Sequence, residues 1–510
     1  MSRIPARHLS ARFDQTTQSS AAASRVHGIT ELWHMACCFF DSKSRRAITQ
    51  TCTLNAERVT PLVWRQLYGF GNLLAILHDS FRVSPERPGG ETIPMLELDS
   101  LEQARIDRFL QLSAYVIVMH EHARPQQWVD WTHLERLLPL VTHAGDRRSA
   151  LMPNVQEAFL SVDGWDRRPF SPFVQLFAGP SLRTLVVVPP SNTVYTQLTA
   201  KDTAKILELA TIGINPGSDK ACALGIFPDE KSSSDREAIL TVLPRSSTPL
   251  TTLSISAWML SPETFLLLAQ YYLVNLYIHG RFSANPADLT LLPDLEIPET
   301  SFIYLRNLVI NEVAFSDVVH ILRTPHLVDR LEVLRLDIAS ILNLDLDDTD
   351  EDNAYKGLID QVTKAKHLKQ LSIVSPRDDA EGPYSLTPEM VKQLRDLELS
   401  RLRLSNFAAG DGVGFHDLRE NAAKAWVNLT QLSMLSQDLL PGDLVALSQL
   451  PKLWRIAANV SPMLGRRFDE GLGRGFSRQL QLVSHFKFGA DFSEPEATAE
   501  NRRALHRIIA

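Results

Sequence analysis

Through the C-terminal two-thirds of the chain one pattern of apolar positions keeps returning: a leucine, two residues, a second leucine, one residue, then an aliphatic residue or methionine. It is spelled by Leu182-Leu185-Val187, Leu250-Leu253-Ile255, Leu273-Leu276-Ile278, Leu305-Leu308-Ile310, Leu331-Leu334-Leu336, Leu368-Leu371-Ile373, Leu399-Leu402-Leu404 and Leu429-Leu432-Met434, with a weaker version at Val155-Ala158-Leu160. Side chains alternate along a strand, so the second and third members of each set share one face while the residue between them points to the other. Each segment therefore reads as a short strand with one face in a core and one face free.

Between these strands lie stretches with helical periodicity, at 204–211, 262–271, 316–322, 353–365, 388–397 and 439–450. First leucines at 182, 250, 273, 305, 331, 368, 399 and 429 leave intervals of 68, 23, 32, 26, 37, 31 and 30. All but the first sit near or above the ~20–29 residues of a leucine-rich-repeat unit, and the first is long enough to hide a strand or an insertion. The expected fold is α/β, a leucine-rich-repeat solenoid with a parallel sheet on its concave face and helices on its convex face. Two competing matches are set aside: Leu292-Leu295-Ile297 lies too close to Leu305, and Leu394-Leu397-Leu399 overlaps a helix. The asparagine or cysteine usual at the ninth position of such a unit is absent, since Pro190, Trp258, Arg281, Val313, Ala339, Pro376, Phe407 and Gln437 stand there.

The outward positions form a row of Val186, Ser254, Tyr277, Val309, Arg335, Ser372, Arg403 and Ser433, with His279, Asn311 and Asp337 two residues further on. Aromatic and arginine side chains dominate binding hot spots. Tyr277, His279, Val309, Arg335 and Arg403 are accordingly the candidate residues of a target-binding face.

Ahead of the repeats the pattern turns helical, at 31–40, 44–54 and 61–77, with Pro61 suited to a first helical turn. A polar loop at 84–92 and helical stretches at 101–119 and 128–142 follow. The expected organisation is a disordered tail over 1–25, a helical module over 26–80, a helical connector over 81–150, the repeats over 151–490 and a helical tail over 491–510.

The helical module carries Ile29-Thr30-Glu31-Leu32, then Phe39-Phe40-Asp41-Ser42-Lys43-Ser44, then Cys52, then Leu62-Val63-Trp64-Arg65-Gln66-Leu67. In order and spacing this resembles the F-box family, a three-helix module, and the repeats behind it resemble those of the large fungal F-box proteins. Thr30, Ala36, Arg45 and Thr51 depart from the family pattern, each at a position where the family has proline or an aliphatic residue. The resemblance implies a non-catalytic adaptor: the module docks the adaptor subunit of a cullin-RING ubiquitin ligase through Leu32, Phe39, Phe40, Cys52, Trp64 and Leu67, and the repeats recruit an unknown target protein. The alternative is a leucine-rich-repeat interaction scaffold whose front helices only cap the array.

Charge and cysteine usage fit either reading. A formal net charge of −7 gives no general attraction to nucleic acid or anionic lipid, and four cysteines without a paired spacing fit a reducing compartment, cytoplasm or nucleus. No apolar run approaches the ~20 residues that cross a bilayer. The glycines at 410–414 and 471–475 lack the Lys-Ser/Thr of a phosphate loop. His120-Glu121-His122 lacks a third metal ligand, and the acidic run at 345–352 lacks the glycine of a calcium loop, so that run reads as a solvated loop. No nucleophile elbow or thiol-hydrolase signature is present, and no cofactor is expected.

Overall fold

A computed structural model describes residues 35–37, 39–83, 94–96, 102–121, 150–161, 181–188, 222–226, 250–280, 292–339, 348–375, 383–409, 426–439, 450–460 and 481–483, with a few single positions between them. The chain divides into two compact units, residues 1–185 with 212–215, and residues 186–211 with 216–510.

In the first unit helix α1 (Ser42–Thr49) starts at Asp41, whose carboxylate accepts from the Ser44 N–H at 2.7 Å. A side-chain hydrogen bond with Ser44, and after it this backbone bond, holds the Asp41 carboxyl below its ordinary range. Helix α2 (Thr53–Trp64) follows, and Pro61 lies inside it rather than at its start. A ring there removes one backbone donor, and the helix ends three residues later.

Here the structure departs from the expected helix at 61–77. Gln66–Tyr68 is a strand, β1, with Leu67 buried between two exposed neighbours. Period-two burial wins because Leu67 is in register with Met119 of β2 (Val118–Glu121), which is in turn in register with Ala158 of β3 (Glu157–Ser161). All three strands run parallel, and Leu67, Met119 and Ala158 form a buried row. Gly69, at φ 85°, turns the chain out of β1 while its N–H donates to the His120 carbonyl. The expected helix at 101–119 is likewise shortened to α3 (Gln103–Ser113), because the chain re-enters the sheet at Val118. The proposed strand at Val155-Ala158-Leu160 is β3, with all three side chains buried. Strand β4 (Thr184–Val188) lies at the division of the two units.

The second unit is a parallel sheet whose strands follow chain order: β5 (Cys222–Ile226), β6 (Leu250–Ser256), β7 (Asn275–His279), β8 (Asn307–Val313), β9 (Val333–Ile338), β10 (Gln370–Val374), β11 (Arg401–Ser405), β12 (Gln431–Leu439), β13 (Arg455–Val460) and β14 (Gln481–Val483). The second leucines align strand by strand, Leu224 with Leu253, Leu276, Leu308, Leu334, Leu371, Leu402, Leu432 and Ile456. Every one of them is buried, as are the first leucines from Leu250 to Leu429. This is a leucine-rich-repeat arrangement: each strand alone has one apolar stripe, and only stacking covers it. Strand β5 lies hidden in the long interval after Leu182, and Leu453-Ile456-Ala458 adds a further buried set past Met434.

Helices α4 (Pro262–Leu268), α5 (Phe315–Arg323), α6 (Asp348–Val362) and α7 (Pro388–Arg395) connect successive strands. Two of them share one start signal. Ser261 and Thr387 accept from the N–H three residues on, each followed by a proline and a glutamate that suit the positive end of the helix. The acidic run is a correction to the loop expected there, since its residues from Asp348 onward open α6.

Three of the ninth positions hold apolar bulk. Trp258, Val313 and Phe407 are buried, and Phe407 packs edge-on against Tyr355 and Tyr384. One position earlier Asn406, at φ 63°, performs the tie that an amide ladder would: Nδ2 donates to the Ser375 carbonyl at 2.8 Å, and Oδ1 accepts from Ser436 Oγ at 3.3 Å. Gly280 approaches the next strand so closely that a Cβ there would lie 2.1 Å from the Glu312 carbonyl oxygen. That approach accompanies the bulge of β8 between Asn311 and Val313.

Candidate protein-binding face

The residues between the buried leucines come out on the opposite face of the second unit, as strand alternation requires. Ser254, Tyr277, Val309, Arg335, Ser372, Arg403 and Ser433 occupy one continuous register, so the expected row is brought together. Its members differ in availability. Arg335 and Arg403 are exposed and Tyr277 is half-buried, but Val309 is only 8% exposed between its neighbours and offers little surface to a partner.

Polar side chains on β6 to β8 are locked to one another. Asn275 Nδ2 donates to Thr252 Oγ1 at 2.8 Å, and Asn307 Nδ2 donates to Asn275 Oδ1. Four residues further along β7 and β8, His279 Nε2 lies 3.1 Å from Ser254 Oγ and Nδ1 lies 3.4 Å from Asn311 Nδ2. Burial pushes the His279 pKa down to about 4, so the ring is neutral at pH 7. The tautomer that satisfies both contacts has Asn311 donating to Nδ1 and the Nε2 proton donating to Ser254.

On β9 to β11 the face becomes charged. Burial raises the Asp337 pKa, and the nearby Arg403 guanidinium opposes that rise. Arg403 Nε also donates to Ser405 Oγ at 3.3 Å. At the starting edge of the strands Glu332 lies 2.6 Å from Lys369 Nζ and 3.6 Å from Arg306 Nε. The hydrogen bond from Lys369 holds that carboxyl below its ordinary range. Such surface pairs contribute roughly 0–1 kcal/mol and define charge pattern more than stability.

The first unit carries a feature that the sequence reading missed. Tyr68, His120 and Phe159 are register partners on β1, β2 and β3, and their rings stack at 5.1 and 4.8 Å with an interplanar angle of 8° at each step. His120 is thus the middle ring of an aromatic ladder. The signal was hidden because Gln66–Tyr68 lies in the middle of the stretch that reads as a helix at 61–77, and the start of β2 falls in the stretch that reads as a helix at 101–119.

The proposed ligase-docking residues differ in where the structure places them. Phe39 is 86% exposed, Phe40 and Cys52 are exposed, and Met35 and Leu54 nearby are exposed as well. Trp64, the last residue of α2, is half-buried. Leu67 is a correction: at 3% exposure it belongs to the sheet core and has no surface to present. Leu32 lies outside the described residues. Arg45, which stands where the family has leucine, donates from Nε to the Cys37 carbonyl at 2.8 Å and ties α1 to the turn before it.

No family model matches the sequence, and no curated protein matches it. Among solved structures the chain is similar to an internalin from Listeria monocytogenes, with 11% identity, a TM-score of 0.33, and coverage of 81% of this chain and 93% of that one. At that score the likeness carries no weight, and the repeat architecture stands on the strand register itself. Among the described residues no helix is long and apolar enough to cross a membrane.

Proposed function

We propose that this chain is a non-catalytic adaptor, in which the outward face of β6 to β13 takes a partner protein and the front helices dock the adaptor subunit of a cullin-RING ubiquitin ligase. The observation that carries the first part is the unbroken register of outward residues from Ser254 to Ser433, a surface laid over a core that all its strands share. Repeat stacks of this kind supply extended binding surfaces because their outward positions are free of packing duties. The second part is supported by Phe39 and Phe40, large apolar side chains exposed together beside α1. Covering a phenylalanine is worth about 1.5–3 kcal/mol, so a pair left in water is a natural docking point.

The interaction scaffold without ligase docking keeps one observation on its side, the burial of Leu67 in β1. Pull-down of the purified full chain with the recombinant ligase adaptor subunit separates the two. The expected result is a stable complex that the Phe39→Ala, Phe40→Ala double variant weakens at least tenfold, by loss of about 1.4 kcal/mol or more. Absence of any complex with the unaltered chain would remove the ligase part and leave the scaffold. For the repeat face, a Tyr277→Ala variant is expected to lose capture of partner proteins from a lysate with unchanged melting, and unchanged capture counts against the face.

A further inference from the structure

The outward face of the second unit changes chemistry half way along. In-register outward positions on β6 to β8 carry no arginine, lysine or carboxylate. From β9 onward arginine appears on every second strand: Arg335 on β9, Arg401 and Arg403 on β11, and Arg455 on β13. Uncharged residues separate them, so that Ser372 lies in register between Arg335 and Arg403, and Gln431 between Arg401 and Arg455.

All four guanidinium-bearing residues are exposed. The guanidinium groups of Arg335, Arg401 and Arg455 make no hydrogen bond or ion pair with any described residue, Arg403 has the carboxylate of Asp337 nearby, and a second acid, Asp438, stands in register with Asn459 at the far end of β12. A chain with a formal net charge of −7 therefore gathers a net positive charge on one patch. Strands lie roughly 4.8 Å apart, so arginines on alternate strands stand roughly 10 Å apart. A polyproline II segment rises roughly 3.1 Å per residue with three residues per turn, so every third side chain returns to the same side roughly 9 Å further on.

We propose that these arginine strands bind a segment of the partner protein in the polyproline II conformation that crosses the strands with a carboxylate at every third residue. Each carboxylate meets one guanidinium fork, a geometry that arginine satisfies with two parallel hydrogen bonds. Ser372 and Gln431, between the cations, offer hydroxyl and amide groups to the segment's backbone. The inference rests on the reading that this face takes a protein, and it names the chemistry of what is taken.

Fluorescence anisotropy with the full chain and labelled Gly/Ser peptides tests it. One peptide carries glutamate at every third residue, a second the same number of glutamates in a contiguous block, a third glutamine in place of glutamate, and a fourth phosphoserine at the spaced positions. The spaced-glutamate peptide is expected to bind, the glutamine peptide to fail, and the block to bind at least fivefold more weakly. Affinity for the spaced peptide should fall steeply with added salt, since exposed charges are screened within about a Debye length. Arg335→Glu with Arg403→Glu should lower it at least tenfold without changing the melting temperature. Equal affinity for the contiguous block, binding of the phosphoserine peptide alone, or indifference to the arginine substitutions would each overturn the proposal. If no glutamate peptide binds while Tyr277→Ala still abolishes protein capture, the charge inference alone falls. If neither effect is seen, the protein-binding reading falls with it.

Discussion

Leu334→Ala is expected to lower the stability of the repeat unit by about 2–5 kcal/mol, read as a shift of the urea midpoint with unchanged slope. Leu334 is fully buried, flanked in register by Leu308 on β8 and Leu371 on β10, which are buried too. Truncation removes apolar contact and leaves a cavity that two neighbouring strands, each pinned by its own leucines, cannot close. One residue further on, the same substitution has a different meaning. Arg335 points to the opposite face and is exposed, so Arg335→Ala should change stability by no more than about 0.5 kcal/mol. Adjacent residues with opposite outcomes are the signature of strand alternation, and comparable losses at both would be inconsistent with β9.

The second large effect is a loss of stability on acidification that passes through His279. Its pKa is about 4 in the folded chain and about 6.5 as a free group, because burial disfavours the imidazolium. Between those values the unfolded chain binds more protons than the folded one, so stability falls as pH drops from 6.5 towards 4 and is untouched by this group above pH 7. At about 1.4 kcal/mol per pH unit the window sets an upper bound of roughly 3 kcal/mol, and the ring's partial exposure makes the realised loss smaller. Protonation would also force an N–H against the Asn311 amide that now donates to Nδ1. Urea midpoints compared between pH 7.5 and 4.5 for the unaltered chain and His279→Gln provide the check. The variant should be less stable at pH 7.5 and lose less on acidification, whereas parallel pH profiles would remove His279 as the cause.

The repeat register was legible because leucine at the second position of each set is both abundant and obligatory, as at Leu276, Leu308, Leu334 and Leu371. Where that position is methionine, as at Met119, or the third position shrinks to alanine, as at Ala458, the strand disappeared from the pattern although its packing is the same. Leu67 shows the converse error. Its spacing after Trp64 fits a helix as well as a strand, and only pairing with β2 decides between them. Helix starts were readable at Ser261-Pro262 and Thr387-Pro388, where capping chemistry is local. The ladder of Tyr68, His120 and Phe159, the tie at Asn406 and the alternation of arginines through Arg455 were not, because each arises only when strands distant in sequence become neighbours.

The alignment of outward residues across neighbouring strands is the claim on which both binding proposals depend, and disulfide trapping measures it directly. Ser372→Cys with Arg403→Cys places two thiols at partnered positions of β10 and β11. In-register parallel neighbours have Cα atoms roughly 4.8 Å apart, within the span a disulfide bridges, while Arg401 is offset by two residues and stands roughly 8 Å from Ser372, beyond it. Peptide mapping after mild oxidation is predicted to find the 372–403 bond formed readily and Ser372→Cys with Arg401→Cys left largely reduced. Preferential closure of the offset pair would mean that these strands are not stacked leucine over leucine, and the outward row would cease to exist.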